Sequence, residues 1–144
     1  MIHTVVVDTN VFVSALLKAD TSPREIVRLC LQGELKPLMG NALLAEFEDL
    51  MQRDKLFKAA PLSDSERQAL MNAFFKSCEW VSVYFLWRPN LKDEADNHVL
   101  ELAVAGGATH IITGNTKDFK GAELRFPHIE IITPRQFLTQ VGGH

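Results

Sequence analysis

The stretch Val5-Val6-Val7-Asp8-Thr9-Asn10 decides the fold of this chain. Three consecutive β-branched residues predict a strand that is buried on both faces, as strands are in a parallel sheet. Asp8 follows directly, at the carboxyl end of that strand, where open α/β sheets bind their ligands. Because a buried carboxylate is costly unless something pairs with it, a bound cation is the simplest partner for Asp8.

Strands and helices alternate along the rest of the chain. The predicted strands are residues 3–8, 35–39, 80–85, 109–113 and 129–133. Helices are predicted over 11–18, from Ser22-Pro23 to Gly33, from Asn41 to about Met51, from Ser63 or Asp64 past Phe75, from Asp93 to Gly106 and from Pro134 onward. The charged stretch 53–63 is typical of a mobile connector. This alternation favours a mostly parallel sheet with helices on both faces.

Size and composition are typical of one globular domain, which we expect to comprise residues 1–144. Of the 144 residues, 47% are hydrophobic and 23% are charged. The net charge of −3 argues against a dedicated nucleic-acid-binding protein but not against an enzyme with clustered acids. Because no membrane span or signal peptide is recognisable, we expect a cytoplasmic protein. Cys30 and Cys78 lie in helical patterns and are expected to be buried free thiols.

Asp96 is the strongest acidic candidate after Asp8. The apolar residues of its helix recur at helical spacing, and Asp96 lies near the middle of the face that they form. A carboxylate in the first turn also interacts favourably with the helix dipole. Asp93 is the expected N-cap of the same helix, whereas His98 and Glu101 are expected on its solvent side.

Two other segments carry candidate acids. Glu46 and Glu48 flank opposite edges of one apolar helical stripe, and periodicity does not choose between them. Asp118 follows the strand 109–113 and is therefore expected at the same sheet edge as Asp8. Asn115 lies in that loop and could orient a carboxylate or a water, although both loop residues are also ordinary turn formers.

Clustered carboxylates predict a particular chemistry. Mg²⁺ and Mn²⁺ prefer oxygen ligands and keep open positions for water and a phosphate oxygen. Such an ion acidifies the bound water and offsets charge on the attacked phosphorus. Without it, the acids would raise one another's pKa. We therefore expect Mg²⁺ or Mn²⁺ to stabilise the protein near neutral pH.

Four segments carry the candidate residues: 5–17 (VVVDTNVFVSALL), 43–47 (LLAEF), 93–103 (DEADNHVLELA) and 111–119 (IITGNTKDF). In this order and spacing they resemble the motifs of PIN domains, in particular the toxin components of toxin–antitoxin systems. The resemblance covers nearly the whole chain. It implies a three-layer α/β/α fold with a five-stranded, mostly parallel sheet.

The resemblance also implies a metal-dependent endoribonuclease that leaves 5′-phosphate and 3′-hydroxyl ends. By this resemblance, Mg²⁺ or Mn²⁺ is bound by four acids, Asp8, Glu46, Asp96 and Asp118, which favours Glu46 over Glu48. It implies that Thr9, Asn10 and Thr113 shape the site through hydrogen bonds. Many relatives carry Asp where this chain has Asn115. The partners implied are an RNA substrate, an antitoxin protein and a second copy of the chain.

Two alternative functions fit the residues less well. Phosphotransferases of the haloacid dehalogenase type also begin with a strand and an Asp, but they place a second Asp two residues later, where this chain has Asn10. The other alternative is a Rossmann-like interaction module without catalysis. The substitution Asp8→Asn separates these alternatives from a nuclease, because only a nuclease would lose metal-dependent RNA cleavage.

Overall fold

The fold is built on a parallel β-sheet. A computed structural model describes residues 2–18, 21–58, 60–83, 94–119 and 126–142. The sheet has the strand order β3-β2-β1-β4-β5, and every neighbouring pair is parallel. The strands are β1 His3–Val7, β2 Leu35–Met39, β3 Glu79–Trp80, β4 His110–Ile112 and β5 Glu130–Ile132. The predicted five-stranded sheet is confirmed, and it is parallel throughout.

Helices connect the strands and cover the sheet. The described helices are α1 Thr9–Leu17, α2 Ser22–Leu31, α3 Asn41–Met51, α4 Asp64–Ser77, α5 Glu94–Gly106 and α6 Pro134–Gly142. Two short 3₁₀ turns lie at Asp54–Phe57 and Thr116–Phe119. This is the α/β/α architecture that the alternation predicted. None of the described helices is both long and apolar enough to span a membrane.

Local sequence signals explain several helix boundaries. Ser63 accepts a hydrogen bond from the Glu66 backbone N–H, and the Glu66 carboxylate accepts one from the Ser63 N–H, which forms a capping box at the start of α4. Gly33 follows α2 with φ of 78°, a conformation that favours glycine after a helix. The sequence predicts Asn41 as the N-cap of α3, whereas in the structure Gly40 is the cap residue and Asn41 is the first helical residue.

A cluster of aromatic rings packs α1 against α3 and α4. The ring centroid of Phe12 lies 5.4 Å from that of Phe47 and 5.1 Å from that of Phe74. All three side chains are almost completely buried. Because aromatic pairs of this kind bury large areas in defined geometries, the cluster sets the position of α3 relative to the beginning of α1. That relation places the first acids of the site.

The stretch 53–63 differs from the mobile connector that was expected. It contains the 3₁₀ turn Asp54–Phe57, and Phe57 is buried. The guanidinium carbon of Arg67 lies 4.7 Å from the centroid of the Phe57 ring, and Arg67 donates a hydrogen bond to the Leu62 carbonyl oxygen. The charged composition of residues 53–63 did not indicate that Phe57 is buried or that Arg67 of α4 packs on its ring.

Helix α5 packs closely against the sheet. Helix α5 contacts β1, β2 and β4, and it approaches β2 so closely that a Cβ at Gly106 would collide with the Leu38 side chain.

Cys30 and Cys78 are buried and unpaired, as expected. Burial raises the pKa of the Cys78 thiol to about 12, so this thiol stays protonated and unreactive at neutral pH.

Candidate active site

Asp8 lies at the carboxyl end of β1, beside the end of β4. The two strands pair with Val7 opposite Ile112, and the Asp8 backbone N–H donates to the Ile112 carbonyl oxygen. This register brings the Thr113 hydroxyl to Asp8, where it donates to Oδ2 at 2.8 Å. The other carboxylate oxygen caps α1 by accepting a hydrogen bond from the Thr9 N–H at 2.8 Å. Asp8 is therefore held from both strands and is only 6% exposed.

Asn10 ties the loop after β4 to the start of α1. Its Oδ1 accepts a hydrogen bond from the Gly114 N–H at 2.9 Å, and its Nδ2 lies 3.3 Å from both Asp8 Oδ2 and Thr113 Oγ1. The Asn115 N–H donates to Thr113 Oγ1 at 3.1 Å, whereas the Asn115 residue is exposed. Asn115 thus contributes through its backbone, which orients the threonine that orients Asp8.

Glu46 is brought to this edge by the aromatic cluster. The packing of Phe12 on Phe47 places the first turn of α1 against α3, and the Thr9 hydroxyl donates a short hydrogen bond to Glu46 Oε1. The second carboxylate oxygen, Oε2, lies 2.9 Å from Nε2 of His98 on α5. Glu48, by contrast, is exposed. Tertiary packing therefore chooses the glutamate that periodicity left open.

Burial and neighbouring groups shift the ionisation of both carboxylates. Burial raises the pKa of Asp8, and the negative charge of Glu46 raises it further, while the hydrogen bonds from Thr113 and Thr9 act in the opposite direction. The pKa of Glu46 is lowered, chiefly by its hydrogen bond with His98. No lysine or arginine pairs with either carboxylate in the part of the chain that the structure describes. The site therefore holds negative charge that a cation would balance.

A protein-family model covers the residues of this site. A model described as PIN domain matches residues 4–117. The chain belongs to the PIN domain family. Its members are generally nucleases. No curated protein matches the sequence significantly. Among solved structures, VapBC2 from Rickettsia felis bound to a DNA fragment from their promoter is similar to 89% of this chain and 96% of the matched chain, with a TM-score of 0.57 and 19% identity. That likeness shows the fold.

The other predicted acids of this PIN domain are Asp93, Asp96 and Asp118. Asp118 lies in the 3₁₀ turn Thr116–Phe119 after β4 and is exposed, while neighbouring Phe119 is buried and anchors the turn. Asp96 lies on α5, but its side chain is outside the described residues, as is all of Asp93. Among the side chains that are described, no three acids, histidines or cysteines converge closely enough to hold an ion.

Two α5 residues contradict the predicted solvent side of this PIN domain's helix. Glu101 is 6% exposed, and the His98 side chain is 19% exposed and bonded to Glu46. The reason is that α5 contacts α3 as well as the sheet, so it is covered on more than one side. On such a helix, one apolar face in the sequence does not show which polar residues are buried. The sequence signal that could have revealed it is the apolar residues on both sides of Glu101, which are Val99, Leu100, Leu102 and Ala103.

Proposed function

We propose that this PIN domain is a metal-dependent endoribonuclease, with residues 1–144 acting as one domain. The observation that carries the proposal is the pair of carboxylates from Asp8 and Glu46, which lie on different elements and share a frame of hydroxyl and amide donors. Family membership supports nuclease activity in general. The metal requirement and the choice of RNA are inferred from the chemistry of the acids and from the sequence motifs.

The donors present suit a hard divalent cation. Asp8 accepts bonds from Thr9, Asn10 and Thr113, and a carboxylate has about four acceptor positions, so acceptor capacity remains. All of the proposed ligands are carboxylate oxygens, which Mg²⁺ and Mn²⁺ prefer. We propose that Asp8 and Glu46 hold the ion and that two further acids, Asp96 and Asp118, complete its coordination.

The residues divide the work of hydrolysis. A bound ion would supply an acidified water and would offset charge on the phosphodiester. Asp8 is kept in one orientation by Thr113 and by the first N–H of α1, and Thr9 does the same for Glu46. Because these donors are already in place before RNA binds, little reorganisation is needed when the phosphate arrives. In-line attack by the water would leave 5′-phosphate and 3′-hydroxyl ends.

Cleavage of a mixed RNA pool tests the activity. Purified protein is incubated with Mn²⁺ or with chelator, and the fragment ends are mapped. We expect cleavage only with Mn²⁺, no cleavage by Asp8→Asn, and wild-type cleavage by Asp49→Asn, which changes an exposed aspartate that pairs with Arg53. Equal cleavage by wild type and Asp8→Asn, or cleavage unaffected by chelator, would contradict the proposal.

The two alternative functions predict different results, which are seen in phosphorylation of Asp8 and in Mn²⁺ binding. Asn10 occupies the position of the second Asp of haloacid-dehalogenase-type enzymes, and its amide is used in hydrogen bonds with Asp8, Thr113 and Gly114. A phosphorylated Asp8 would indicate that chemistry. Protein that folds, binds no Mn²⁺ and cuts no RNA would indicate an interaction module.

We also propose an antitoxin partner, a homodimer and a location in the cytoplasm. The structural neighbour is a toxin–antitoxin complex, which supports the first proposal. An apolar groove of about 520 Å³ between α1, α2 and α4 offers a seat for an antitoxin helix. Its lining includes Leu31, which is 38% exposed.

Co-expression with the product of a neighbouring small gene tests the partner. We expect a stable complex that Leu31→Glu weakens, whereas Leu56→Glu, an equally exposed leucine outside the groove, leaves it intact. Equal binding by the two variants would remove the groove from the proposal. Light scattering of the protein alone measures whether two copies associate.

A further inference from the structure

His98 joins helix α5 to the acid on helix α3. Its Nε2 lies 2.9 Å from Glu46 Oε2, within hydrogen-bonding distance. Because an ionised carboxylate only accepts hydrogen bonds, Nε2 must carry the hydrogen in this contact. The His98 Nδ1 atom is buried and has no hydrogen-bond partner among the described residues. Among the described residues, the imidazole therefore makes one directed polar contact, and that contact is with a proposed metal ligand.

Glu46 needs such a contact to be held in one orientation. Glutamate is a long, flexible side chain that loses appreciable entropy when it is ordered, and the Glu46 side chain is 30% exposed. Thr9 holds Oε1 from α1, and His98 holds Oε2 from α5. Donors on two different elements grip the two oxygens, so the plane of the carboxylate is determined as well as its position.

We propose that His98 is a positioning residue that orients the Glu46 carboxylate for cation binding. The proposal rests on the proposed function, because it concerns the same ion. Carboxylates that ligate metals are commonly held by outer hydrogen-bond partners, and loss of such a partner typically weakens metal binding or activity about 10–100-fold. His98 contributes through its Nε2–H and its place on α5, without ligating the ion.

Three substitutions at position 98 distinguish orientation from simple packing. In Gln, the amide nitrogen is the same number of bonds from Cβ as Nε2 in His, so His98→Gln can still donate to Glu46. In Asn, the amide nitrogen corresponds to Nδ1, so His98→Asn carries the same group at a shorter reach. His98→Leu removes the donor and keeps a side chain of similar bulk. His128→Leu, at an exposed histidine, is the matched control.

Titration calorimetry with Mn²⁺ alone gives the deciding measurement, with urea unfolding in chelator to report folding. We expect His98→Leu and His98→Asn to weaken Mn²⁺ binding about 10–100-fold, and His98→Gln and His128→Leu to bind within about threefold of wild type. For RNA cleavage, the Mn²⁺ concentration for half-maximal rate should rise in the same order, while the rate at saturating Mn²⁺ changes less.

The outcomes separate this inference from the function on which it rests. Unchanged Mn²⁺ affinity in His98→Leu, or equal affinities in the Gln and Asn variants, would overturn the positioning role while leaving the metal site standing. If His98→Leu does not fold, the Gln and Asn variants decide the question on their own. Failure of the wild-type protein to bind Mn²⁺ would overturn the metal site and the role of His98 together.

Discussion

The two ends of the same strands carry different polar groups. At the carboxyl end, Asp8 and Thr113 extend β1 and β4, and Asp8 is bonded to donors from three neighbouring residues. At the amino end, His3 and His110 begin the same two strands, and their ring centroids are 5.4 Å apart in an edge-to-face arrangement. Among the side chains that the structure describes, the carboxyl end holds two neighbouring acids, Asp8 and Glu46, whereas the amino end is marked by histidines.

Burial acts on the two ends with opposite sign. It raises the pKa of Asp8 and lowers the pKa of His110, because burial disfavours the charged form of each group. At the amino end, His110 avoids the cost of a buried charge, because its neutral form bonds to the Thr109 hydroxyl and packs against Phe137. At the carboxyl end, the negative charge of Glu46 adds to the cost of ionising Asp8. Burial alone therefore does not mark a functional site, and the proposed site rests instead on a buried acid kept beside a second acid.

Matched glutamates at the two ends test this contrast in activity. Glu46→Gln should reduce Mn²⁺-dependent RNA cleavage about 10²–10³-fold, because charge stabilisation by a metal site amounts to several kcal/mol. Glu130→Gln changes a half-exposed glutamate beside His110 and should cut RNA at the wild-type rate. The measurement is the initial rate on a labelled RNA. Equal losses in both variants would mean that the carboxyl end has no special role.

Metal addition should stabilise the protein through the acids at the carboxyl end and not through the histidines at the amino end. At Mn²⁺ a hundredfold above its dissociation constant, the wild-type free energy of unfolding should increase by about 2.7 kcal/mol. Asp8→Asn should lose most of this increase, and His110→Gln should keep it. Thermal melts with Mn²⁺ and with chelator provide the test, and a wild-type melting temperature indifferent to Mn²⁺ would contradict it.

Two threonines on either side of β4 test the hydrogen-bond frame. Thr113→Val removes the donor to Asp8 and the acceptor for the Asn115 N–H, so it should lower the free energy of unfolding by about 2 kcal/mol. Thr109→Val removes contacts to Thr4 and His110 at an exposed position, where water can replace them, and should cost about 1 kcal/mol or less. Urea unfolding in chelator measures both, and the reverse order would count against the frame.

The smallest expected effect is on the pH dependence of stability. Because the folded pKa of Asp8 lies above 3.8, metal-free protein should lose stability as the pH rises above that value. Because the folded pKa of His110 lies below 6.5, stability should be lost as the pH falls below 6.5. Asp8→Asn should flatten the first slope and His110→Gln the second. Urea unfolding across the pH range measures both slopes, with His128→Gln as the control. Variants that keep the wild-type slopes would contradict these assignments.

Much of the fold could be predicted because its signals are local. The β-branched run before Asp8 predicted β1, Ser63 or Asp64 was the predicted start of α4, and Gly33 predicted the end of α2. Each of these depends on residues a few positions apart. Phe57 could not be assigned in the same way, because its burial depends on Arg67 from the following helix.

The candidate site was predictable in part for the same reason. Asp8 and Thr113 end adjacent parallel strands, so their proximity follows from the strand pattern. His98 and Glu101 were predicted on the solvent side because the sequence shows one apolar stripe on α5, the stripe that faces the sheet. The structure shows that α3 covers α5 as well.

The amino-acid sequence by itself determined the alternation of strands and helices and put Asp8 at the carboxyl end of the first strand, because short-range sterics and hydrophobic periodicity act within a few residues. Periodicity left Glu46 and Glu48 open, and the family resemblance favoured Glu46. Only the tertiary structure decided that Glu46 bonds to Thr9 and that His98 holds it. Those contacts join residues dozens of positions apart, so they depend on the packing of α1 and α5 against α3, which no short-range sequence pattern specifies.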